Sequence, residues 1–189
     1  MMMFGAAVAA SVVLTACGGG GSSSDSAEPS TPVVPFDAPP ISEAQKAEFL
    51  NAINAVRAQG RECGKYGYMP AVPPVTWNDA LYRAAYEHTV DMAMTGVLSH
   101  SGSGTSSDWT AQVLGLDRGS TLTEREGVNG IDITYKILGE NIGRGYPNTA
   151  AIINGWLKSD GHCHVLMNSY YTNMGMAHIQ DWWTIDFSN

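Results

Sequence analysis

Between residue 41 and the C-terminus, three stretches carry apolar side chains at helical spacing. Phe49, Leu50, Ile53 and Val56 form the first stripe. Ser42 and Gln45 ahead of it have capping-box spacing, and Gly60 is placed to stop the helix near Gln59. Leu81, Ala85, His88 and Met92 form the second, with Asn78 as its cap, Asp79 in the first turn and Gly96 at its end. Ile152, Ile153, Trp156 and Leu157 form the third, capped by Thr149 and broken by Gly161, with one further turn over 162–167. A shorter helix is expected over 108–116. Residues 61–74 and 99–107, rich in Gly, Pro, Tyr or Ser, read as loops, and 117–130 is polar with no clear period. Ile131, Ile133, Tyr135 and Ile137 alternate, as in a short strand or an extended loop. Residues 175–179 and 182–187 flank Gln180-Asp181 and read as a hairpin. Helices followed by two late strands predict an α+β domain, with helices packed on a small antiparallel sheet.

Residues 1–16 do not belong to that domain. They carry no charge and are almost wholly apolar or small. The run is short for a membrane span, which needs about 20 residues, and suits the apolar core of a secretory signal. It ends in Leu14-Thr15-Ala16-Cys17, which resembles the bacterial lipobox, where the signal is cut before a cysteine whose thiol is then acylated. No Lys or Arg precedes the run. The alternative is an ordinary cleaved signal with a chance cysteine. Residues 18–40 contain four Gly, five Ser and five Pro. Such a segment buries too little surface to order itself and spans about 25–30 Å as a flexible coil. The expected organisation is a signal over 1–16, lipidated Cys17 with a disordered tether over 17–40, and a folded domain over 41–189. The protein would then be exported and held at the bacterial cell envelope by its lipid.

Charge narrows the partners. Ten basic residues face eighteen acidic ones, for a net charge of −8, and Asp25, Glu28 and Asp37 place part of it on the tether. Without clustered cations to replace counterions on phosphates, the chain is not expected to bind nucleic acid or to coat a membrane through a polybasic surface. A monomer is expected. With Cys17 assigned to the lipid, Cys63 and Cys163 remain. In an oxidising compartment they predict one disulfide, the alternative being two separate buried thiols.

Four segments then point to a family. They are Pro74-Val75-Thr76-Trp77-Asn78-Asp79-Ala80-Leu81 running on through Glu87-His88, Leu98-Ser99-His100-Ser101-Gly102, Gly139-Glu140-Asn141-Ile142, and Trp156-Leu157-Lys158-Ser159-Asp160-Gly161-His162-Cys163. In this order and spacing, with Met174-Gly175-Met176 and Trp183 closing the chain, they resemble the CAP superfamily. This is the SCP-like group of cysteine-rich secretory and pathogenesis-related proteins, and the likeness is to its small bacterial members. The resemblance implies a three-layer α-β-α sandwich with a cleft on one face. In eukaryotic relatives that cleft holds two His and two acids that can bind zinc. By motif, the positions here are His100, Glu140 and His162. The second acid falls in a stretch this chain lacks, and Asp160 is a conceivable substitute.

Two imidazoles and a carboxylate supply three ligands for a metal such as zinc and leave an open position. The bland reading of the same residues is a hydrogen-bonded network that orders loops. His88, on an apolar stripe, reads as a satisfied core group. His164, about 200° around a helix from His162, reads as more exposed. His178 lies on a strand that could pass under the cleft. Ser99 and Ser101 flank His100, but the chain lacks a Gly-x-Ser-x-Gly elbow, which argues against a serine hydrolase. Trp109, Trp156, Trp182 and Trp183 suit a core better than a ligand platform. Three functions follow: a lipid-anchored module binding a lipid, envelope polymer or protein in its cleft; a metal-dependent hydrolase of peptides or envelope polymers, with Glu140 as ligand or general base; or a structural module with a vestigial cleft.

Overall fold

The computed structural model describes residues 34–134 and 136–189. The expected signal, Cys17 and most of the tether lie outside them, as does Tyr135.

Local chemistry sets the helix ends. α1 (Glu43–Arg57) starts where Ser42 Oγ accepts from the Gln45 amide, and it ends at Ala58, before the expected stop. β1 (Arg61–Glu62) and β2 (Tyr68–Met69) make a small antiparallel ribbon around a 3₁₀ turn at Gly64–Tyr66. β3 (Thr76–Trp77) leads into α2 (Asp79–Thr95), which Asn78 caps by accepting from the Ala80 and Leu81 amides. Gly96 closes α2 at φ 73°, a left-handed conformation that glycine adopts without a Cβ clash. α3 (Trp109–Leu114) and α4 (Leu122–Val128) follow, then β4 (Leu138–Arg144), α5 (Thr149–Leu157), α6 (Asp160–Leu166), β5 (Asn173–Ile179) and β6 (Trp182–Ser188).

The sheet runs β3-β5-β6-β4. β6 is antiparallel to both long neighbours, and β5–β6 is the expected hairpin, turning at Gln180 with φ 58°. The expected antiparallel sheet carries one exception. β3 lies parallel to β5, because it feeds straight into α2 and finds its partner almost 100 residues later.

The two sheet faces differ in chemistry. Trp183, Ile185 and Phe187 on β6, with Met174 and Met176 on β5, pack against the buried stripes of α1, α5 and α6 in the main apolar core. The alternate residues turn to α2 and α4, since side chains alternate along a strand. There lie Glu140 and Ile142 on β4, Thr184 and Asp186 on β6, and Gly175 on β5. A Cβ at Gly175 would land on the backbone of Leu81 and Tyr82, so glycine lets α2 sit directly on the sheet. The result is the helix–sheet–helix layering that the resemblance implies.

Several local expectations change. α4 occupies the stretch that showed no period; Thr121 and Glu124 form its capping box, and it buries Arg125 and Glu126 beside a single apolar residue, Val128. The alternation over 131–137 forms no strand among the described residues, and Ile133 and Ile137 are exposed. The strand begins at Leu138 and contains the polar Gly139-Glu140-Asn141. Asn148, not Thr149, caps α5 by accepting from the Ala151 amide, while Thr149 donates to Glu48. Gly161 sits inside α6 rather than ending α5. Contacts to the domain also begin before residue 41. The Phe36 amide donates to Asn129 Oδ1 (3.0 Å), its ring packs near Tyr86 and Trp109, and Tyr82 donates to the Pro39 carbonyl.

Cys63 and Cys163 form the disulfide, with Cα atoms 5.4 Å apart, and join the loop after β1 to α6. Nearby, Arg57 is fully buried with no carboxylate bonded to it among the described residues. Its guanidinium donates to the carbonyls of Pro73, Leu166, Asn168 and Tyr171, tying α1 to the end of α6 and the approach to β5.

Candidate functional site

The site stands at the β4 edge of the sheet, on the face toward α2 and α4. Glu140 points into that layer, and its side chain is buried. His100 reaches it from the loop after α2: its Nδ1 lies 2.7 Å from Glu140 Oε1. The other carboxylate oxygen accepts from Arg125 Nη2, also at 2.7 Å. Burial alone would raise the Glu140 pKa. The Arg125 charge and the His100 hydrogen bond outweigh it and hold the carboxyl below its usual range. The same bond raises the pKa of His100 against the effect of its partial burial. An ionised Glu140 can only accept, so the neutral His100 ring keeps its proton on Nδ1 and carries its lone pair on Nε2. The His100 side chain is 58 % exposed, which leaves that nitrogen open to a ligand.

His162 does not join this carboxylate. It opens α6 on the opposite face of β4, where its backbone carbonyl accepts from Asn141 Nδ2 at 3.1 Å. Consecutive residues of β4 point to opposite faces, so Glu140 and Asn141 serve different sides. Because β4 is the sheet edge, the two imidazoles approach around it. Burial, and then the charge of His100, lower the His162 pKa.

The other candidates take other places. His88 is buried beneath the site, and its Nε2 donates to the Ser99 carbonyl at 2.8 Å; burial, then the nearby Arg125 charge, push it down to about 4, so it is neutral. His164 is half-buried and stacks on Tyr66. His178 stacks on Trp183, on the α1 side of the sheet and away from the cleft. Asp160 faces the loop after β1, where it accepts from the Lys65 amide, and adds nothing to His100. Ser99 Oγ accepts from the Ser101 amide. Trp156, Trp182 and Trp183 are core residues. A cavity of about 330 Å³ adjoins the site, lined by Ser99, Ser101, Ser103, Met92, Thr95 and Val97 among others, but His100 between the two serines is not part of its wall.

Sequence reasoning missed a buried polar cluster behind Glu140. Asp186 pairs with Glu140 across β4–β6, and Glu126 follows Arg125 on α4. Neither carboxyl has a hydrogen-bond partner among the described residues. Burial, then the charge of Glu140, raise both pKa values above the usual carboxyl range, Glu126 to about 8. Glu87 on α2 is pushed up to about 7 by burial, against hydrogen bonds from Thr110 and Asn129. Only the Thr-x-x-Glu capping signal before α4 could have hinted at this layer.

Among the described residues, no group of three or more His, Cys, Asp or Glu side chains is arranged to hold a metal ion. Both Glu140 oxygens are already engaged, one by a guanidinium whose charge would repel a metal cation placed beside it.

Residues 50–187 match the model of the cysteine-rich secretory protein family, CAP. The chain is a CAP-family protein. It is 25 % identical over 147 residues to an uncharacterised membrane protein, YlbC, of Bacillus subtilis strain 168, an alignment covering 78 % of this chain and 35 % of that one. It is also 32 % identical over 57 residues to an uncharacterised protein, YkwD, of the same strain, covering 29 % of this chain and 22 % of the relative. The CAP chain thus spans about a third or less of these curated relatives. Among solved structures, it resembles an extracellular SCP-domain protein of Bacillus anthracis, with a TM-score of 0.58 and 20 % identity over 79 % of this chain and 44 % of that one. It also resembles an outer surface protein of Borrelia burgdorferi, with a TM-score of 0.53 and 14 % identity over 78 % and 90 % of the two chains. These likenesses establish the fold. No helix among the described residues is long and apolar enough to cross a membrane.

Proposed function

We propose that this CAP domain works outside the cytoplasm, is anchored through a lipid on Cys17, and binds a lipid, an envelope polymer or a protein segment at His100 and the adjoining cavity. The observation that carries this reading is the asymmetry of the His100–Glu140 pair. A buried carboxylate clamps one nitrogen of an exposed imidazole and leaves the other to solvent. Ordering an exposed ring from a buried charge costs desolvation energy that loop packing does not require. A binding group held in one orientation does require it. The extracellular and outer-surface descriptions of the structural relatives support the location. A metal-dependent hydrolase is the weaker reading, since both Glu140 oxygens are engaged and no three-ligand group is arranged among the described residues.

Native mass spectrometry of protein taken from the envelope tests the binding role. A co-purified mass should be present in the wild type and lost in His100→Ala at unchanged thermal stability. The same mass retained in the variant would refute it. The anchor has its own test: Cys17→Ser should move the protein from the membrane pellet to the soluble fraction, and an unchanged pellet fraction would rule the anchor out.

A further inference from the structure

Arg125 is fully buried on α4, and its guanidinium meets three acceptors. Nη2 donates to Glu140 Oε2 (2.7 Å) and to the backbone carbonyl of His100 (3.1 Å), and Nη1 donates to the Ser120 carbonyl (3.2 Å). Four buried carboxyl groups surround it: Glu87 from α2, Glu126 from α4, Glu140 from β4 and Asp186 from β6. Neutral His88 from α2 completes the shell. One guanidinium neutralises one carboxylate in such a layer. Glu140 is the one it bonds, while Glu126 and Asp186 have no hydrogen-bond partner among the described residues.

We propose that Arg125 is the resident cation of this site, a positioning residue whose bonds to the Glu140 carboxylate and to the His100 backbone fix the His100 ring, in place of a metal ion. The proposal rests on the reading of His100 as the ligand-binding group. The geometry supports a specific role for a fork. One guanidinium nitrogen holds both the backbone of His100 and the carboxylate that orients its ring, so ring and acceptor are referenced to the same group. A lysine supplies a point charge and cannot reproduce that planar arrangement. A metal on Glu140 would have to displace Arg125 or sit beside its positive charge.

Nitrogen NMR of the imidazoles tests this without any ligand, so a failure of ligand binding at His100 is separately visible. In the wild type, neutral His100 should carry its proton on Nδ1, and one equivalent of zinc should leave its signals unmoved. In Arg125→Met the proton should move to Nε2 in a substantial fraction of molecules, and Arg125→Lys should restore the Nδ1 form only in part. A purely structural arginine would change stability and leave the tautomer alone. The proposal is overturned by an Nε2 proton in the wild type, by stoichiometric zinc binding that shifts the His100 signals, or by a folded Arg125→Met with an unchanged tautomer. If that variant does not fold, the wild-type tautomer and the zinc titration decide.

Discussion

Reduction of the Cys63–Cys163 bond is the most quantitative perturbation available. The bridge links residues 100 positions apart. In the chain-entropy picture, closing a loop of that length removes about 4.7 kcal/mol of disorder from the unfolded chain. Both half-cystines are buried in the apolar core, so the freed thiols remain packed and most of the cost falls on the unfolded state. For a domain of this size each kcal/mol moves Tm by about 2–4 °C, which gives a loss of about 10–20 °C. The folded arrangement should survive, because α6 keeps two other ties to the 61–69 ribbon: Asp160 accepts from the Lys65 amide, and His164 stacks on Tyr66. Calorimetry and urea unfolding of oxidised protein, reduced protein and the Cys63→Ala/Cys163→Ala variant measure the effect. The reduced protein should also show a larger urea slope, since its unfolded chain exposes more surface. A stability difference under about 1 kcal/mol, or identical slopes, would refute the loop argument.

Three further outcomes follow from individual contacts. Arg57→Met strands four carbonyls that the guanidinium now serves. At about 1–3 kcal/mol for each unsatisfied buried group, urea unfolding should show a loss of at least about 4 kcal/mol, and a loss below 1 kcal/mol would contradict the bonding described. Gly175→Ala drives a methyl into the Leu81–Tyr82 backbone, so α2 must lift from the sheet, at a cost of about 1–3 kcal/mol or more; an unchanged Tm would count against the close approach. Glu126→Gln tests the buried acid. Because its folded pKa is raised, Glu126 contributes stability that is full below the ordinary carboxyl range and is lost as pH rises through the folded value. Between pH 5 and 9 the wild-type Tm should therefore fall more than that of Glu126→Gln, and parallel curves would show that the group titrates normally.

The long helices, the β5–β6 hairpin and the cysteine pairing were legible in the sequence because each rests on local or countable features. These are a cap beside an apolar stripe, two apolar runs about a short turn, and two cysteines within the folded domain. α4 and β4 were not legible as elements, for one shared reason. Both bury polar side chains: Arg125 and Glu126 on the helix, Glu140 and Asn141 on the strand. Hydrophobic periodicity cannot register a polar face turned inward. Thr149 and Gly161 misled for a different reason: each had the right chemistry one or a few positions from where the chain used it.

The sequence by itself determined that this is an α+β CAP-family domain, that Cys63 meets Cys163, and that His100 and Glu140 belong to one site. Those outcomes follow from motif order and residue type. Only the tertiary structure decided what Glu140 is bonded to. Strand alternation sends Glu140 to one face of β4 and Asn141, which bonds the His162 backbone carbonyl, to the other. The place beside the carboxylate went to Arg125, from a helix that shows no apolar stripe, because a buried negative charge is stable only where the fold brings a positive one to meet it.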